Sequence, residues 1–306
     1  MPVDYTEYAK YCRLIGYRVE ETPHGIWIGI SRGFFNRVPP YETALPTKEE
    51  LHSLFRRYPI VGVHYSVEPG SQGKAGYVYF VCDQDYDLKN LDSKGRWSVR
   101  KGLRNCQVRP MSFDELHRLG MSLNLDTLAR QRRDAPMFRN PDRWMRFCQG
   151  GEQVEGAQVW GAFVAGELAA YIVFFQLGEM VNCMYQMSCT RLMKLHSNPA
   201  LTFTVTQTMM RSPGVKAVCY GPGGPSEGLD EYKERMGFNR QPVVFVVRLR
   251  PVVKRALLNW GGRQAIAALG RWLPDRDLYR RVQAVLDIAA MSSGSFSDGT
   301  ASCPSG

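Results

Sequence analysis

The residues of this chain whose type and spacing suit chemistry are mostly basic. Arg96, Arg100 and Arg104 recur at every fourth position in LDSKGRWSVRKGLRN (Leu91 to Asn105), with Lys101 beside them. On a helix that period lines one face. A row of guanidiniums suits phosphate recognition, and a solvated helix face carries the same charge pattern. A second basic pair, Arg191 and Lys194, precedes Ser197-Asn198-Pro199. A helix starting at Asn198 offers amides and a positive dipole end to an anion. Tyr185 lies in MVNCMYQMS (Met180 to Ser188), where its hydroxyl serves as an acid or substrate contact, or is satisfied within a core. Glu179 and Asn182 flank the start of that segment, and Glu179 reads as a base or as a turn residue. Glu227 and Asp230 border a Gly/Pro loop, where capping of the next helix is their expected task. The five histidines and eight cysteines show no metal-ligand spacing, and no metal is expected.

The elements that must position these groups follow from patterning. GIWIGI (Gly25 to Ile30), IVGVHYSV (Ile60 to Val67) and YVYFVCD (Tyr77 to Asp83) are rich in β-branched and aromatic residues and predict strands. KEELHSLFRRY (Lys48 to Tyr58) spaces Leu51, Leu54 and Phe55 as a helix does. QVRPM (Gln107 to Met111) is extended and leads into Ser112-Phe113-Asp114-Glu115, a capping box with Met111 and Leu116 as its staple. Asn140-Pro141 starts a second helix, N-cap then Pro at N1, which Gly150-Gly151 is expected to stop. AQVWGAFV (Ala157 to Val164), LAAYIVFF (Leu168 to Phe175) and MVNCMYQMS are joined by short Gly-containing turns and predict an antiparallel meander. A helix from Ser197, a buried strand VKAVCYG (Val215 to Gly221), the loop GPGGPSEG, the helix LDEYKERM and a last strand QPVVFVVRL (Gln241 to Leu249) complete the order.

That order, strand, helix, helix, three antiparallel strands, helix, strand, helix, strand, resembles the succession of GNAT acyltransferases. The segment Tyr232-Lys233-Glu234-Arg235-Met236-Gly237-Phe238 resembles the aromatic-Lys-x-x-aromatic-Gly pattern of the Fem-type (FemAB-like) branch. That branch also carries a basic RK helix, here around Arg100-Lys101. The resemblance covers about Tyr86 to Arg248. It implies an α/β (α+β) GNAT fold: a mixed, mainly antiparallel sheet flanked by helices, with a partial GNAT-like N-terminal half. It implies that Lys233 faces the donor, where an ammonium stabilises phosphate or oxyanion charge, and that Arg100 and Lys101 bind the donor. Two departures stand out. The loop Cys189 to His196 has no glycine where acetyl-CoA-dependent members cradle pyrophosphate, which leaves Arg191, Lys194 and the helix start at Asn198 for that task. The general-acid tyrosine of many GNAT enzymes is replaced by Lys233, and Tyr232, one residue away, is expected to point elsewhere.

The whole chain of 306 residues carries 44% hydrophobic residues and a net charge of +10. It is long enough for a large core, and its basicity favours a polyanionic partner or only solubility. No run reaches the roughly 18 apolar residues of a membrane span. The start lacks a secretory pattern, and the cysteines read as reduced thiols, so a cytoplasmic protein is expected. The domain expectation is 1–90 an α/β subdomain, 91–250 the acyltransferase, 251–290 a basic helical extension, and 291–306 a disordered tail. The extension either packs on the enzyme body or lies on the inner face of an anionic membrane. The expected function is N-acyl transfer from an activated donor, acyl-CoA or another thioester, to a small-molecule amine, with no permanently bound cofactor. Alternatives are a Fem-like transferase using aminoacyl-tRNA on a cell-wall precursor, and a non-catalytic binding protein of this fold. Acyl-carrier protein is a further partner considered.

Overall fold

A computed structural model describes residues 4–22, 25–31, 33–224, 227–258, 264 and 288–289. In chain order the elements are α1 (Thr6–Leu14), β1 (Arg18–Thr22), β2 (Gly25–Ser31), β3 (Phe34–Val38), α2 (Lys48–Arg57), β4 (Gly62–Val67), β5 (Lys74–Val81), α3 (Ser93–Asn105), β6 (Gln107–Met111), α4 (Phe113–Gln131), α5 (Pro136–Arg139), α6 (Pro141–Glu152), β7 (Ala157–Val164), β8 (Glu167–Leu177), β9 (Met180–Ser188), α7 (Ser197–Met210), β10 (Ala217–Pro222), α8 (Glu227–Arg235), β11 (Asn239–Leu249) and α9 (Pro251–Leu258). The strands α/β reading anticipated are present. α1, β1, β3 and the four-residue α5 add to the expected elements, and most of the C-terminal extension beyond α9 and the tail lie outside the described residues.

The chain divides into two compact bodies. The smaller takes in the described residues of Ile30–Arg37, of Tyr41–Gly76 and from Pro242 on. There β3 runs parallel to β4, and β4 pairs antiparallel with β11. Helix α2 starts with a full capping box, Thr47 accepting from the Glu50 amide and Glu50 from the Thr47 amide.

The larger body takes in Met1–Gly29, Val38–Pro40 and Tyr77–Gln241. Its main sheet has the order β5-β10-β9-β8-β7-β6. Every neighbouring pair is antiparallel except β10 with β9. β8 explains why its sequence is apolar throughout. Tyr171, Val173, Phe175 and Leu177 enter a core covered by α1, α4 and α6, with Tyr11, Leu116 and Phe147. Ala170, Ile172 and Phe174 enter a second core covered by α3 and α7, with Val99, Leu201 and Val205. A strand buried on both faces has no polar side to show. Each such large side chain contributes roughly 1.5–3 kcal/mol on burial.

Two helix signals resolve differently from expectation. Ser112 caps α4 by accepting from the Glu115 amide, but the Glu115 carboxylate turns to Arg109 (2.6 and 2.9 Å) instead of closing the box. α6 does not stop at its glycine pair. It ends one residue past the pair, at Glu152, and a Cβ at Gly151 would lie 2.4 Å from the Phe113 ring and one at Gly150 3.0 Å from Ile15. The glycines are there for close approach by neighbours, not for termination.

Candidate functional site

The meander delivers its last strand with a fault in the pleat. Val173 of β8 faces Tyr185 of β9, yet the next residue, Phe174, faces Cys183, so Met184 is an extra residue, a β-bulge. As a result Met184 and Tyr185 both pack on the first core, while Gln186 and Ser188 come round to the α7 face. β10 pairs with β9 only at Ala217–Met180, Val218–Val181 and Cys219–Asn182. Beyond these residues the parallel strands pair no further. Cys183, Met184, Tyr185 and Gln186 on one side, and Tyr220 and Gly221 on the other, are half-buried there.

Lys233 enters this region from α8. Its place is set by how the helix ends. Gly237 has φ +79°, the Phe238 amide donates to the Lys233 carbonyl (3.1 Å), and Met236 and Phe238 anchor in the second core. This is a Schellman ending, so the distance from the lysine to Gly-Phe is fixed by the cap itself. Lys233 is 2% exposed. Its Nζ donates to the Pro222 carbonyl (2.6 Å) and lies 4.7 Å from the Tyr79 ring centroid and 5.4 Å from that of Tyr220. Burial pulls the ammonium below the usual lysine range, partly opposed by Asp230. Asp230 accepts from the Gly224 amide (2.9 Å), holding the glycine-rich loop against the helix it was expected to cap.

Tyr232 points elsewhere than Lys233, toward α7. It hydrogen-bonds Thr202 of α7 (2.8 Å), which donates to Gln186 Oε1 (3.3 Å). The Tyr220 hydroxyl contacts the same Gln186 oxygen. The Gln186 amide group donates to Asn198 Oδ1 (3.2 Å), and the Asn198 amide to Ser188 Oγ (3.2 Å). Arg130 Nη2 donates to Ser188 Oγ (3.1 Å), and Thr127 exchanges two hydrogen bonds with the Ser188 backbone (2.9 and 3.0 Å). One polar chain therefore runs from α4, across the end of β9 and the start of α7, to both tyrosines. Burial drives the Tyr220 and Tyr232 hydroxyls well above the ordinary tyrosine range.

The remaining expected residues are distributed as follows. Tyr185 stacks edge-on against Phe138 (4.7 Å) and Phe147 (5.6 Å), and burial beside Tyr17 pushes its hydroxyl up. Glu179 lies in the β8–β9 turn, paired with Lys216 (2.8 Å). That turn is at the end where β9 and β10 are still bonded, away from Lys233's strand ends. Arg191 is exposed and paired with Glu167 (2.5 Å), and Lys194 is exposed. α7 begins two residues earlier than the Asn-Pro signal suggests, with His196 as N-cap, so Asn198 is already inside the helix and its side chain belongs to the polar chain. The preceding loop is a short 3-10 turn, Thr190–Leu195. Several of its amides are committed: Thr190 to Asp126 (2.6 Å), Leu192 to the Cys189 carbonyl (3.1 Å) and His196 to the Met193 carbonyl (2.9 Å).

α3 lies beside this turn on its glycine face. A Cβ at Gly102 would sit 2.3 Å from the His196 carbonyl, and one at Gly95 2.3 Å from the Arg235 carbonyl. Lys101 stands over the Trp97 ring (4.8 Å), and Trp97 meets His196 edge-on (4.9 Å). Arg100 and Arg104 are exposed, whereas Arg96 turns inward to the Leu91 carbonyl (2.6 Å), so the arginine row is shorter than its spacing suggests. A separate groove is lined by Met111, Phe113, Gly151, Glu152 and Trp160 along β6 and β7. None of the expected site residues lines it.

Sequence reasoning missed Gln186, Ser188, Thr202, Tyr220 and Arg130. A faint signal existed: Gln186 and Ser188 are polar residues two apart in a mostly apolar strand, and Asn198 and Thr202 share a helix face at i, i+4.

No protein-family model matches the chain, and no curated protein matches it. Solved structures do. FemX is 10% identical with a TM-score of 0.53, covering 78% of this chain and 90% of its own. The C-terminal DUF2156 domain of a proposed lysylphosphatidylglycerol synthetase from Agrobacterium fabrum is 13% identical with a TM-score of 0.55, covering 82% and 90%. L-PGS from Bacillus licheniformis is 13% identical with a TM-score of 0.53, covering 82% and 94%. At such identities the likeness is one of fold, and the chain has a GNAT-like fold of the Fem type. Among the described residues no helix is long and apolar enough to cross a membrane.

Proposed function

We propose that this protein is a transferase that moves an acyl or aminoacyl group from an activated carbonyl donor to an amine. The observation that carries the reading is Lys233, a buried cation held by a helix cap at the place where β9 and β10 cease to pair. A charge kept out of water costs folding energy, and its use is to meet the negative charge that develops on a carbonyl oxygen or donor phosphate. Where the two strands part, their backbone is the source assigned to N–H groups for the same oxyanion. Lys101, with the exposed Arg100, Arg191 and Lys194, is assigned to the donor's phosphates. Asn198 serves through its side chain, and Tyr185 and Glu179 act as wall and turn.

The 3-10 turn bears on the choice of donor. Its committed amides and lack of glycine favour a donor other than acetyl-CoA, and an aminoacyl ester is the second reading. The FemX and lysylphosphatidylglycerol synthetase likenesses lend support to that choice, the latter being named for the lysyl ester of a lipid. The test offers isotope-labelled acyl-CoAs, acyl-carrier-protein thioesters and aminoacyl-tRNAs with a pool of amines, and follows the label by mass spectrometry. Label moved to an amine by the native chain, and lost in Lys233→Met, supports the reading. Transfer from none of them overturns it.

A further inference from the structure

We propose that the solvent side of α3 is the docking surface for an acidic carrier protein, which presents the acyl group as a thioester on a phosphopantetheine arm. The proposal rests on the transfer reading above and names the carrier of its donor. Lys94, Trp97, Lys101 and Arg104 stand at i, i+3, i+7 and i+10 of the helix and share one side of it, with Arg100 at the flank. The opposite side holds Gly95 and Gly102, which bear on Arg235 and His196. Among the described residues Lys94, Arg100, Lys101, Arg104 and, on the neighbouring 3-10 turn, Lys194 form no ion pair. Arg191 of the same turn is held by Glu167, and Arg235 by Glu231. Like charges left side by side repel, and an anionic partner removes that cost.

The row is long. From Lys94 to Arg104 the helix rises about 15 Å, whereas a pyrophosphate reaches only a small part of that length. The cations therefore suit a partner larger than a free thioester. The 3-10 turn points the same way. Its Thr190, Leu192 and His196 amides are spent within the protein, and it has no glycine. Coenzyme A brings a pyrophosphate to be cradled, but a carrier's arm hangs from a single phosphodiester, which one ammonium, Lys101 or Lys194, can meet.

Trp97 narrows the class of partner. It is 54% exposed, with Lys101 Nζ 4.8 Å above its ring and His196 edge-on at 4.9 Å. A single nucleic-acid strand is held by stacking bases on aromatic faces, and here the ammonium already covers one face. Trp97 is also alone as an apolar side chain on this side of α3, too little for insertion into a bilayer. It is instead a fixed apolar point in a cationic row. An acidic helix offers the matching pattern, since carboxylates one turn apart repeat at the pitch of the bases on α3. The surface adjoins the reaction, because Gly95 sits against Arg235, two residues from Lys233. At that end the amine attacks the thioester carbonyl. The C–S bond breaks as the C–N bond forms, and the arm's sulfur leaves with the proton that the amine gives up.

The test uses the full chain and the source organism's acyl carrier protein, first in its apo form, which has nothing to transfer. The apo carrier should bind at about 0.05 M salt and weaken roughly tenfold or more at about 0.3 M. Lys94→Glu with Arg104→Glu should weaken it about 30-fold or more, and reversing two acids of the carrier's docking helix to lysine should restore binding to that variant. With the octanoyl carrier as donor, the double variant should raise KM and keep kcat. Its turnover of octanoyl-pantetheine should stay within about twofold, since neither side chain is assigned to the reaction. A carrier that does not bind, or that binds the double variant as well as the native chain, overturns the proposal. So does tighter binding of tRNA or of phosphatidylglycerol vesicles through the same two residues. A chain that transfers from octanoyl-pantetheine and fails the binding tests overturns the docking alone, whereas one that binds the apo carrier and transfers from no donor overturns the transfer reading alone.

Discussion

Replacing Lys233 by methionine should make the protein more stable and less active. The side chains have similar length and the site is 2% exposed, so little cavity or overpacking follows. What is lost is one hydrogen bond to the Pro222 carbonyl, worth roughly 1.5–3 kcal/mol when the donor is charged, and ring contacts with Tyr79 and Tyr220 worth about 0.5–2 kcal/mol. What is regained is the dehydration of the ammonium, several kcal/mol. The direction of the pKa decides between them: it is lowered, with burial as the largest cause. The ammonium is therefore less at home in the folded protein than in water, after all its partners are counted. On that ground removing it should raise Tm and not lower it. The sign with pH follows. Between the lowered folded pKa and the unfolded value near 10.4, the unfolded chain holds a proton that the folded one has shed. Unfolding free energy thus rises with pH in that window, by at most about 1.4 kcal/mol per unit, and Lys233→Met should abolish that share of the slope. Urea melts at pH 7 to 10.5 measure both quantities, alongside transfer, which should fall about 100-fold or more. A variant destabilised by more than about 2 kcal/mol with the slope unchanged would show that the lysine is there for structure, and would refute the reasoning.

Gly102→Ala should destabilise by about 1–3 kcal/mol, because its Cβ meets the His196 carbonyl at 2.3 Å; thermal melts check it. Glu179→Gln should leave transfer unchanged and alter stability by less than about 1 kcal/mol, since its pair with Lys216 is exposed at the far end of β9. Tyr185→Phe should likewise retain transfer, because its ring fills the aromatic cluster of Phe138 and Phe147; a loss of turnover with unchanged stability would place its hydroxyl in the chemistry. Arg109 holds the Glu115 carboxyl below the usual range, so that pair's stabilisation is present near neutrality and fades as pH falls through the folded Glu115 pKa. Arg109→Ala should flatten the acid limb of the stability curve and raise the Glu115 pKa measured by carbon NMR.

The sheet and its helices were legible because their signals are local. Ser112, Asn140 and Gly237 mark helix ends through single hydrogen bonds, and β8 is apolar throughout because both its faces are covered. Lys233 was legible through the Schellman geometry that spaces it from Gly237-Phe238. The polar chain was not, because it depends on the extra residue at Met184. A pleat without a fault would send Gln186 to the face opposite the one it occupies, and nothing in the types of residues 180–188 announces where the fault lies. The partner of Tyr232 was not legible for a related reason: Thr202 belongs to α7, and the axis of α8 alone does not give it. Glycines misled in the other direction, since Gly150 and Gly151 break no helix when a neighbour needs the space.

The two glycines of α3 have a mechanical consequence. Gly95 bears on the last turn of the helix that carries Lys233, and Gly102 on the residue that opens α7. Seven helical residues span about 10 Å, so α3 works as a gauge block: it sets the separation between the end of one helix and the beginning of the other, and with no slack at either contact it keeps that separation under load. Anything that pushes on the His196 end is felt at the Arg235 end, and the lysine and the start of α7 hold their spacing as one rigid jig.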